Sequence, residues 1–473
     1  MFSVRRRGAA RLAAATVVSG LVAAGAIAIA GPAAADEGLQ GTGGATATLG
    51  KLTVFDTVKI KGKGEYAAGL FEMQVTPGGT LQTYCIDLYT EALKGQEYKE
   101  VGWDQSSLHN NEDAGKIRWI LQNSYPQVND LAALAKKAGA KNLTEKTAAA
   151  ATQAAIWHFS DDADAMPVDE DAQALTKYLE EKAVNLEEPK ASLSLSPSSV
   201  AGKSGERLGP VTVNTNAASA AVSLAPGAPE GVKLVDKDGK VVTNVANGGQ
   251  VYFDVPAGAA DGSAELTVQA DTTVPIGRAF VATKVKSQTL ILAGTSTSTV
   301  NAKASASWAK KGAIPAVTAE KNCAKGGLDI TASNEGDEDF AFELKGMKYT
   351  IAAGESKTVT VPLAEDEAYD FTITGPNGFE KTFKGVLDCK TATPGPLPSE
   401  TPSTGPSPST TAPAATAGGS TTGSTTGSTT GGGDLAETGS SNATPMIAGI
   451  ALALVALGGG AVFLLRKKKA AGQ

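Results

Sequence analysis

The 473-residue sequence has few of the residue types that carry metal and acid–base chemistry. It contains 3 cysteines and 2 histidines. A zinc-type centre needs several such ligands close together, whereas here the cysteines lie far apart and the histidines are single, so we expect no metal and no cofactor. The formal net charge of −7 also argues against nucleic acid as a partner, because an acidic surface repels phosphates.

The N-terminal residues 1–35 have the pattern of a secretory signal peptide. Arginines precede a long run of Ala, Val, Leu and Ile, and the small residues Ala33 and Ala35 precede Asp36. An uncleaved membrane anchor is the alternative, but the apolar run ends in small residues and Pro32 instead of a charged stop. We therefore expect an exported protein, in a compartment where disulfides persist.

The C-terminal end carries an apolar span followed by a basic tail. Residues 443–465 hold no charge and are long enough to cross a bilayer as a transmembrane helix. Residues 466–473 begin with RKKK, which is typical of a cytoplasmic stop. Loss of both basic ends would remove eight positive charges and no carboxylate, which changes the formal charge from −7 to −15.

The pentapeptide LAETG at residues 435–439 stands just before the apolar span. Pentapeptide, span and basic tail together resemble the cell-wall sorting signal of Gram-positive surface proteins, in the LAxTG variant of the LPxTG form. The resemblance implies a transient single-pass membrane stage, cleavage by a sortase, and a peptidoglycan anchor on the threonine. A membrane protein that keeps its span, with LAETG present by chance, is the alternative. The motif residues are Leu435, Ala436, Glu437, Thr438 and Gly439.

Composition divides the remaining chain into a stalk and several folded segments. Residues 391–434 are rich in Pro, Thr, Gly and Ser and have almost no large apolar side chains, which predicts a disordered stalk. Residues 36–390 are long enough for two or three domains. Residues 191–305 and 306–390 show short alternating strands separated by turn signals, which predicts two all-β, immunoglobulin-like sandwiches.

The three cysteines have separate explanations. Cys323 and Cys389 stand at the two boundaries of the second sandwich, and a disulfide between its first and last strands is the natural use of both. By loop-closure entropy such a bridge would stabilise the domain by up to about 4 kcal/mol. Cys85, in the stretch TYCIDLY, is left over and needs another role.

Residues 36–190 combine strands with helices. KLTVFDTVKIKG and GLFEMQVTPGGTLQTYCIDLY predict strands around a PGG turn, and three helical stretches follow. In the last stretch Asn142 is the expected N-cap, with Glu145 three residues on, and a run of alanines leads to Gln153. This segment is therefore predicted to be one α+β unit, with Cys85 on a strand and Gln153 on a helix.

Two short segments of this unit resemble a known family. YCID at residues 84–87 and TQAAIW at residues 152–157 are similar to the two signatures of thioester domains, the head modules of wall-anchored Gram-positive surface proteins. Signal, head, sandwiches, stalk and sorting signal also follow that family's order. The resemblance implies that residues 36–190 form a β-sandwich or barrel with a helical insertion, and that Cys85 is bonded to Gln153.

The implied bond has a clear chemistry. A thiolate attacks the glutamine carboxamide, ammonia leaves, and the resulting thioester is open to attack by an amine. Since the bond is consumed, the chain would be a covalent adhesin and not an enzyme, with an unknown amine-bearing surface ligand as its partner. Tyr84, Ile156 and Trp157 are the expected walls of the site, and Asp87 and Thr152 the groups that would orient the bond. Each also has a purely structural alternative, such as core packing for Trp157.

Two other functions are compatible with the sequence. His158, with Asp161 behind it, would pair with Cys85 in a cysteine hydrolase or acyltransferase, although nothing around Cys85 resembles a nucleophile loop. The other alternative is a non-reactive surface display, coat or spacer protein held in the wall or membrane.

Overall fold

The computed structural model describes residues 43–391. The predicted signal peptide, the stalk beyond residue 391, the sorting motif, the apolar span and the basic tail lie outside the described residues. Within the described range no helix has the length and apolar character needed to cross a membrane.

The N-terminal segment contains five strands and four helices. The strands are β1 (Thr46–Ile60), β2 (Gly64–Val75), β3 (Thr80–Cys85), β4 (Glu97–Val101) and β5 (Ala165–Pro167). The helices are α1 (Ala114–Asn123), α2 (Leu131–Ala138), α3 (Glu145–Asp161) and α4 (Glu170–Lys182). The segment is thus α+β, as the sequence predicts. All four helices follow β4 in the chain, and β5 lies between α3 and α4.

The middle segment contains eleven strands within the described residues. They are β6 (Leu193–Ser196), β7 (Ser199–Lys203), β8 (Arg207–Thr215), β9 (Ala220–Leu224), β10 (Lys233–Val235), β11 (Asn244–Val245), β12 (Gly249–Asp254), β13 (Gly262–Thr272), β14 (Ala279–Ala282), β15 (Leu290–Thr295) and β16 (Ser298–Ala309). Nine of them form two sheets, with strand orders β10-β12-β8-β6 and β11-β9-β13-β16-β7. The two sheets are those of a β-sandwich, and its immunoglobulin-like topology stays a prediction.

Strands β14 and β15 belong to the sheet of the N-terminal segment. From the sequence they are predicted to lie in the middle segment, because the boundary is expected between residues 190 and 191. The order of that sheet is β2-β3-β15-β14-β4-β1-β5, and β1 also pairs with β2, so six strands close into a ring. Leu290 pairs with Cys85 and Ala279 pairs with Val101. Apolar runs identify these strands in the sequence, but periodicity does not say which sheet a strand will join.

The third segment forms a separate apolar core around the predicted disulfide. Its strands are β17 (Pro315–Asn322), β18 (Gly327–Asn334), β19 (Phe340–Leu344), β20 (Met347–Ile351), β21 (Ser356–Pro362), β22 (Ala368–Thr374) and β23 (Glu380–Val386). They pair as β17-β18-β21, β19-β20 and β22-β23. Cys323 and Cys389 follow the first and last of these strands and are joined by a disulfide, so that prediction is confirmed. Because β16 runs to Ala309, the segment begins a few residues later than the expected residue 306.

Helix α3 is buried between the barrel and the other helices. Of its 17 residues, 12 are buried, and half of these are alanines. Ala150, Ala154 and Trp157 pack with the barrel core, whereas Ala151 and Ile156 pack with the helical core. Small side chains permit this close approach on both faces, and the helix thereby carries Gln153 into the interior.

The N-cap of α3 is Thr144, so the expectation of Asn142 was wrong. The Thr144 hydroxyl accepts a hydrogen bond from the Thr147 backbone N–H at 3.2 Å, and the Thr147 hydroxyl accepts one from the Thr144 N–H at 2.9 Å. This reciprocal pair is a capping box built from two threonines. The Asn142 backbone N–H instead donates to Asp171, which holds the preceding turn against α4.

Candidate functional site

Cys85 and Gln153, which are 68 positions apart in the chain, meet through two hydrogen bonds. The Cys85 backbone N–H donates to Gln153 Oε1 at 2.9 Å, and Gln153 Nε2 donates to the Cys85 carbonyl oxygen at 2.8 Å. Both residues are buried, with exposed fractions of 3% and 1%. Cys85 takes no part in a disulfide. The Gln153 side chain is therefore hydrogen-bonded to the Cys85 backbone, away from solvent.

A small cavity of about 40 Å³ lies against this pair. Its walls are mainly apolar and contain no carboxylate among the described residues that line it. A site of this size has room for only a few water-sized groups, because about 10–15 Å³ is enough for one. The lining residues are Leu52, Tyr66, Ala67, Ala68, Gly69, Phe71, Cys85, Leu88, Thr90, Gln153, Trp157 and Gln288.

A glycine lets the strands close around this cavity. Gly69, on β2, has φ +158°, and a Cβ placed there would lie 2.1 Å from the Val54 carbonyl oxygen on β1. Any other residue would push the two strands apart next to the site. The position thus needs glycine for close approach of the backbones.

Gln288, from the turn between β14 and β15, completes the wall of the cavity. Its side-chain Nε2 donates to the Asp87 carbonyl oxygen, and its own carbonyl accepts a hydrogen bond from the Tyr98 hydroxyl at 3.2 Å. Sequence reasoning missed this residue. The reason is that Gln288 is more than 130 positions beyond Gln153, in a stretch whose strands read as part of another sheet.

Trp157 lines the cavity as the sequence predicts, whereas Tyr84 and Ile156 do not line it. Successive residues of a strand point to opposite faces, so Tyr84 turns away from the side that Cys85 faces. Its hydroxyl donates to the Tyr125 carbonyl oxygen at 2.8 Å in the helical core, and burial raises the pKa of this tyrosine. Tyr84 and Ile156 therefore support the helices and do not form walls of the site.

Thr152 and Asp87 lie close to the site without lining the cavity. Thr152 Oγ1 donates to the Ala148 carbonyl oxygen at 2.7 Å and also contacts the Ser124 hydroxyl, so it joins α3 to the end of α1. Asp87 is fully buried, and its carbonyl accepts hydrogen bonds from the Thr90 N–H and from Gln288. The Asp87 contacts hold the segment that follows Cys85. None of these hydrogen bonds of Thr152 and Asp87 involves the Gln153 side chain.

Asp161 ties the end of α3 to the segment that follows Cys85. Its carboxylate accepts hydrogen bonds from the Leu88 N–H at 3.0 Å and from the Ser160 hydroxyl at 2.6 Å. Burial raises the pKa of Asp161 to about 7, and the nearby Asp87 adds to the rise. His158 is exposed, with its ring edge-on to Phe159 at 4.8 Å between centroids, so the structure does not favour a catalytic pair of His158 and Cys85.

One group of carboxylates among the described residues has the spacing of a metal site. Ligand oxygens of Glu365, Asp366 and Asp388 lie within 4.8 Å of one another. Lys286 Nζ contacts the Asp366 carboxylate at 2.6 Å, and the positive charge of Lys321 acts on Asp388. Glu365 also accepts hydrogen bonds from the Cys389 and Lys390 backbone N–H groups, so all three carboxylates have partners and we assign no metal to this group.

Residues 82–185 match the family model of the thioester domain, and this range includes both Cys85 and Gln153. Residues 315–386 match a second family model, the C-terminal domain of bacterial phospholipase C. The first match covers Cys85 and Gln153, and the second covers strands β17 to β23 of the third segment and ends before Cys389.

Solved structures give distant likenesses. The Bacillus anthracis TIE protein is 15% identical, with 74% of this chain and 81% of that chain covered and a TM-score of 0.26. The thioester domain of the Enterococcus faecium TIE86 protein is 18% identical, with 57% and 99% covered and a TM-score of 0.27. No match was found among curated proteins. Because these TM-scores are low, the likeness of this chain to thioester domains rests on the family match and on the residues of the site.

Proposed function

We propose that this chain is a bacterial cell-surface protein whose head forms an internal thioester between Cys85 and Gln153 and reacts once with an amine on a target surface. The observation that carries the proposal is the pair of hydrogen bonds between the Gln153 amide and the Cys85 backbone. The bond is consumed when it reacts, so the protein acts as a covalent adhesin and not as a catalyst.

The same hydrogen bonds would assist formation of the thioester. The Cys85 N–H already donates to Gln153 Oε1, so it would stabilise the negative charge that develops on this oxygen as the sulfur attacks the carboxamide carbon. The carbon–sulfur bond forms, the carbon–nitrogen bond breaks, and the thiol proton leaves with the nitrogen as ammonia. The Cys85 carbonyl holds that nitrogen from the other side.

Burial would then protect the bond until an amine arrives. Both partners are almost completely removed from solvent, and the adjacent cavity is small and apolar, so hydrolysis is disfavoured. An amine that enters attacks the carbonyl carbon, the carbon–sulfur bond breaks, and the amine gives a proton to the departing thiolate. The products are an amide at Gln153 and a free thiol at Cys85.

Intact-mass spectrometry of a purified protein of residues 43–391 tests this function. The wild type is expected to be lighter than its sequence mass by one ammonia, and methylamine is expected to add one equivalent, which leaves the protein heavier than its sequence mass by one methylene. Cys85→Ala and Gln153→Ala should each have their full sequence mass and take up no methylamine. A wild-type protein of full mass that forms no adduct would leave only non-reactive surface display.

Attachment to the cell wall is a separate part of the proposal and rests on the C-terminal sequence. In a Gram-positive host with a matching sortase, the chain should appear in the peptidoglycan fraction. Thr438→Ala should move it to the membrane fraction, since the acyl group of that threonine is the one a sortase would transfer. An unchanged distribution would contradict sortase anchoring but would leave the thioester untouched.

A further inference from the structure

Two polar side-chain atoms in the cavity wall have no hydrogen-bond partner within the described part of the chain. They are Thr90 Oγ1 and Trp157 Nε1. Both residues are more than nine-tenths buried, with exposed fractions of 7% for Thr90 and 5% for Trp157. A buried polar group without a partner is costly, so its presence in the wall of a small apolar cavity points to a ligand that supplies the missing partner.

The two atoms offer different chemistry. The indole Nε1 can only donate a hydrogen bond, whereas the threonine hydroxyl can also accept one. Trp157 lies one helical turn after Gln153 on α3, and residues four positions apart share a helix face. Thr90 lies in the turn that follows Cys85, where its backbone N–H donates to the Asp87 carbonyl oxygen. A donor and an acceptor without partners therefore belong to the residues that line the cavity together with Gln153.

We propose that Trp157 and Thr90 bind the reacting groups when the thioester meets its target. Trp157 Nε1–H donates to the Gln153 carbonyl oxygen as that oxygen becomes negatively charged, as a second donor beside the Cys85 N–H. Thr90 Oγ1 accepts a hydrogen bond from the N–H of the attacking amine. This inference rests on the proposed thioester and adds the groups that direct its reaction.

The cavity also limits the size of the reacting group. Its volume of about 40 Å³ has room for the head group of a small primary amine such as methylamine, and Leu52, Phe71 and Leu88 are apolar residues of its wall.

Two conservative variants test the roles separately. Thr90→Val removes the hydroxyl and keeps the branched shape, and Trp157→Phe removes the N–H and keeps a ring. The reaction of each thioester is followed by intact mass with methylamine, which has an N–H to donate, and with methanethiolate, which has neither an N–H nor an O–H. Reduction of the Cys323–Cys389 disulfide by the thiolate adds only two hydrogens and is distinguished by its mass. Thr83→Val is the matched control, because Thr83 Oγ1 is also buried without a hydrogen-bond partner but does not line the cavity.

The expected pattern differs among the three variants. Thr90→Val should react about tenfold more slowly with methylamine and at the wild-type rate with the thiolate, as one lost hydrogen bond in the transition state predicts. Trp157→Phe should be slower by about tenfold with both reagents, since the oxyanion is common to both reactions. Thr83→Val should match the wild type.

Other results would overturn the assignment. Wild-type rates in Thr90→Val or in Trp157→Phe would exclude the corresponding role, and an equal loss in Thr83→Val would show that the effect is general loosening of the fold. If Trp157→Phe does not fold, the contrast between the two reagents in Thr90→Val decides the proposal. A wild-type protein without the ammonia deficit would instead refute the thioester itself, so the two failures are distinguishable.

Discussion

A fragment of residues 43–190 should not fold, although it contains Cys85, Gln153 and the whole matched thioester range. The barrel needs β14 and β15, which lie between β3 and β4 in the sheet and come from residues 279–295. Without them the ring opens, and the edges of β3 and β4 lose their hydrogen-bonding partners. The fragment also loses Gln288 from the cavity wall.

The magnitude follows from the apolar side chains that the two strands bury. Phe280, Leu290, Ile291 and Leu292 each have an exposed fraction of 0%. At about 1.5–3 kcal/mol for each fully buried side chain, their removal costs about 6–12 kcal/mol. Small domains are stable by only about 5–15 kcal/mol in total, so the loss is comparable to the whole free energy of unfolding.

Circular dichroism, urea titration and intact mass of two fragments would measure this effect. Residues 43–190 should give no cooperative transition and no ammonia deficit, whereas residues 43–311, which contain every strand through β16, should unfold cooperatively and carry the deficit. A cooperatively folded 43–190 fragment that forms the thioester would refute the shared barrel. It would also support the domain boundary between residues 190 and 191 that is expected from the sequence.

Further outcomes follow from charges and cross-links elsewhere in the described region. Arg278→Met should destabilise the fold by about 3–5 kcal/mol in urea, because the Arg278–Glu100 pair at 3.0 Å is buried and the Glu100 charge would lose its counter-ion, keeping only the hydrogen bonds from Ala45 and Ser192. Adding Glu100→Gln should recover much of the loss, because it removes the charge and keeps an acceptor for those donors. Since the folded pKa of Asp161 is raised to about 7, its contribution to stability is present below pH 4 and is lost as the pH rises through 7, and Asp161→Asn should flatten this part of the melting-temperature profile. Replacing Cys323 and Cys389 together by serine should cost about 4 kcal/mol on unfolding the third segment, as closure of a loop with a sequence separation of 66 predicts. Methylamine capture should become faster as the pH rises, because no carboxylate lines the described cavity to hold an ammonium ion and the neutral amine must enter; a rate independent of pH would contradict this.

Residue identity and local pattern predicted the chemistry of the site better than its surroundings. The pairing of Cys85 with Gln153 came from two short motifs, and the structure brings these residues into contact. The Cys323–Cys389 disulfide followed from the positions of both residues at the ends of one segment. The disulfide prediction needed only the two positions that take part, whereas the pairing of Cys85 with Gln153 needed the resemblance of the two motifs to thioester domains.

The predictions that were wrong concern positions where two local patterns fit the sequence equally well. The run that forms β15 is apolar on both faces and suits either sheet, so only tertiary packing places it beside β3. Asn142 and Thr144 are both good N-caps, and the helix begins at Thr144, where Thr147 can complete a reciprocal cap. Tyr84 could have been excluded from the site, because strand alternation already places it on the opposite face from Cys85.

The burial of α3 connects the fold to the reactivity of the site. A glutamine in an apolar interior must satisfy both ends of its amide, and the Cys85 backbone is the group that does so for Gln153. These contacts stabilise the fold before any chemistry occurs, and they bring the carboxamide to the residue that carries the sulfur. In the proposed thioester the nitrogen and its hydrogen bond would be gone, and the Cys85 N–H would remain as a donor for the carbonyl oxygen. The contact that stabilises the buried Gln153 would then also activate its carbonyl, so a mutation that loosens α3 against β3 should weaken stability and capture together.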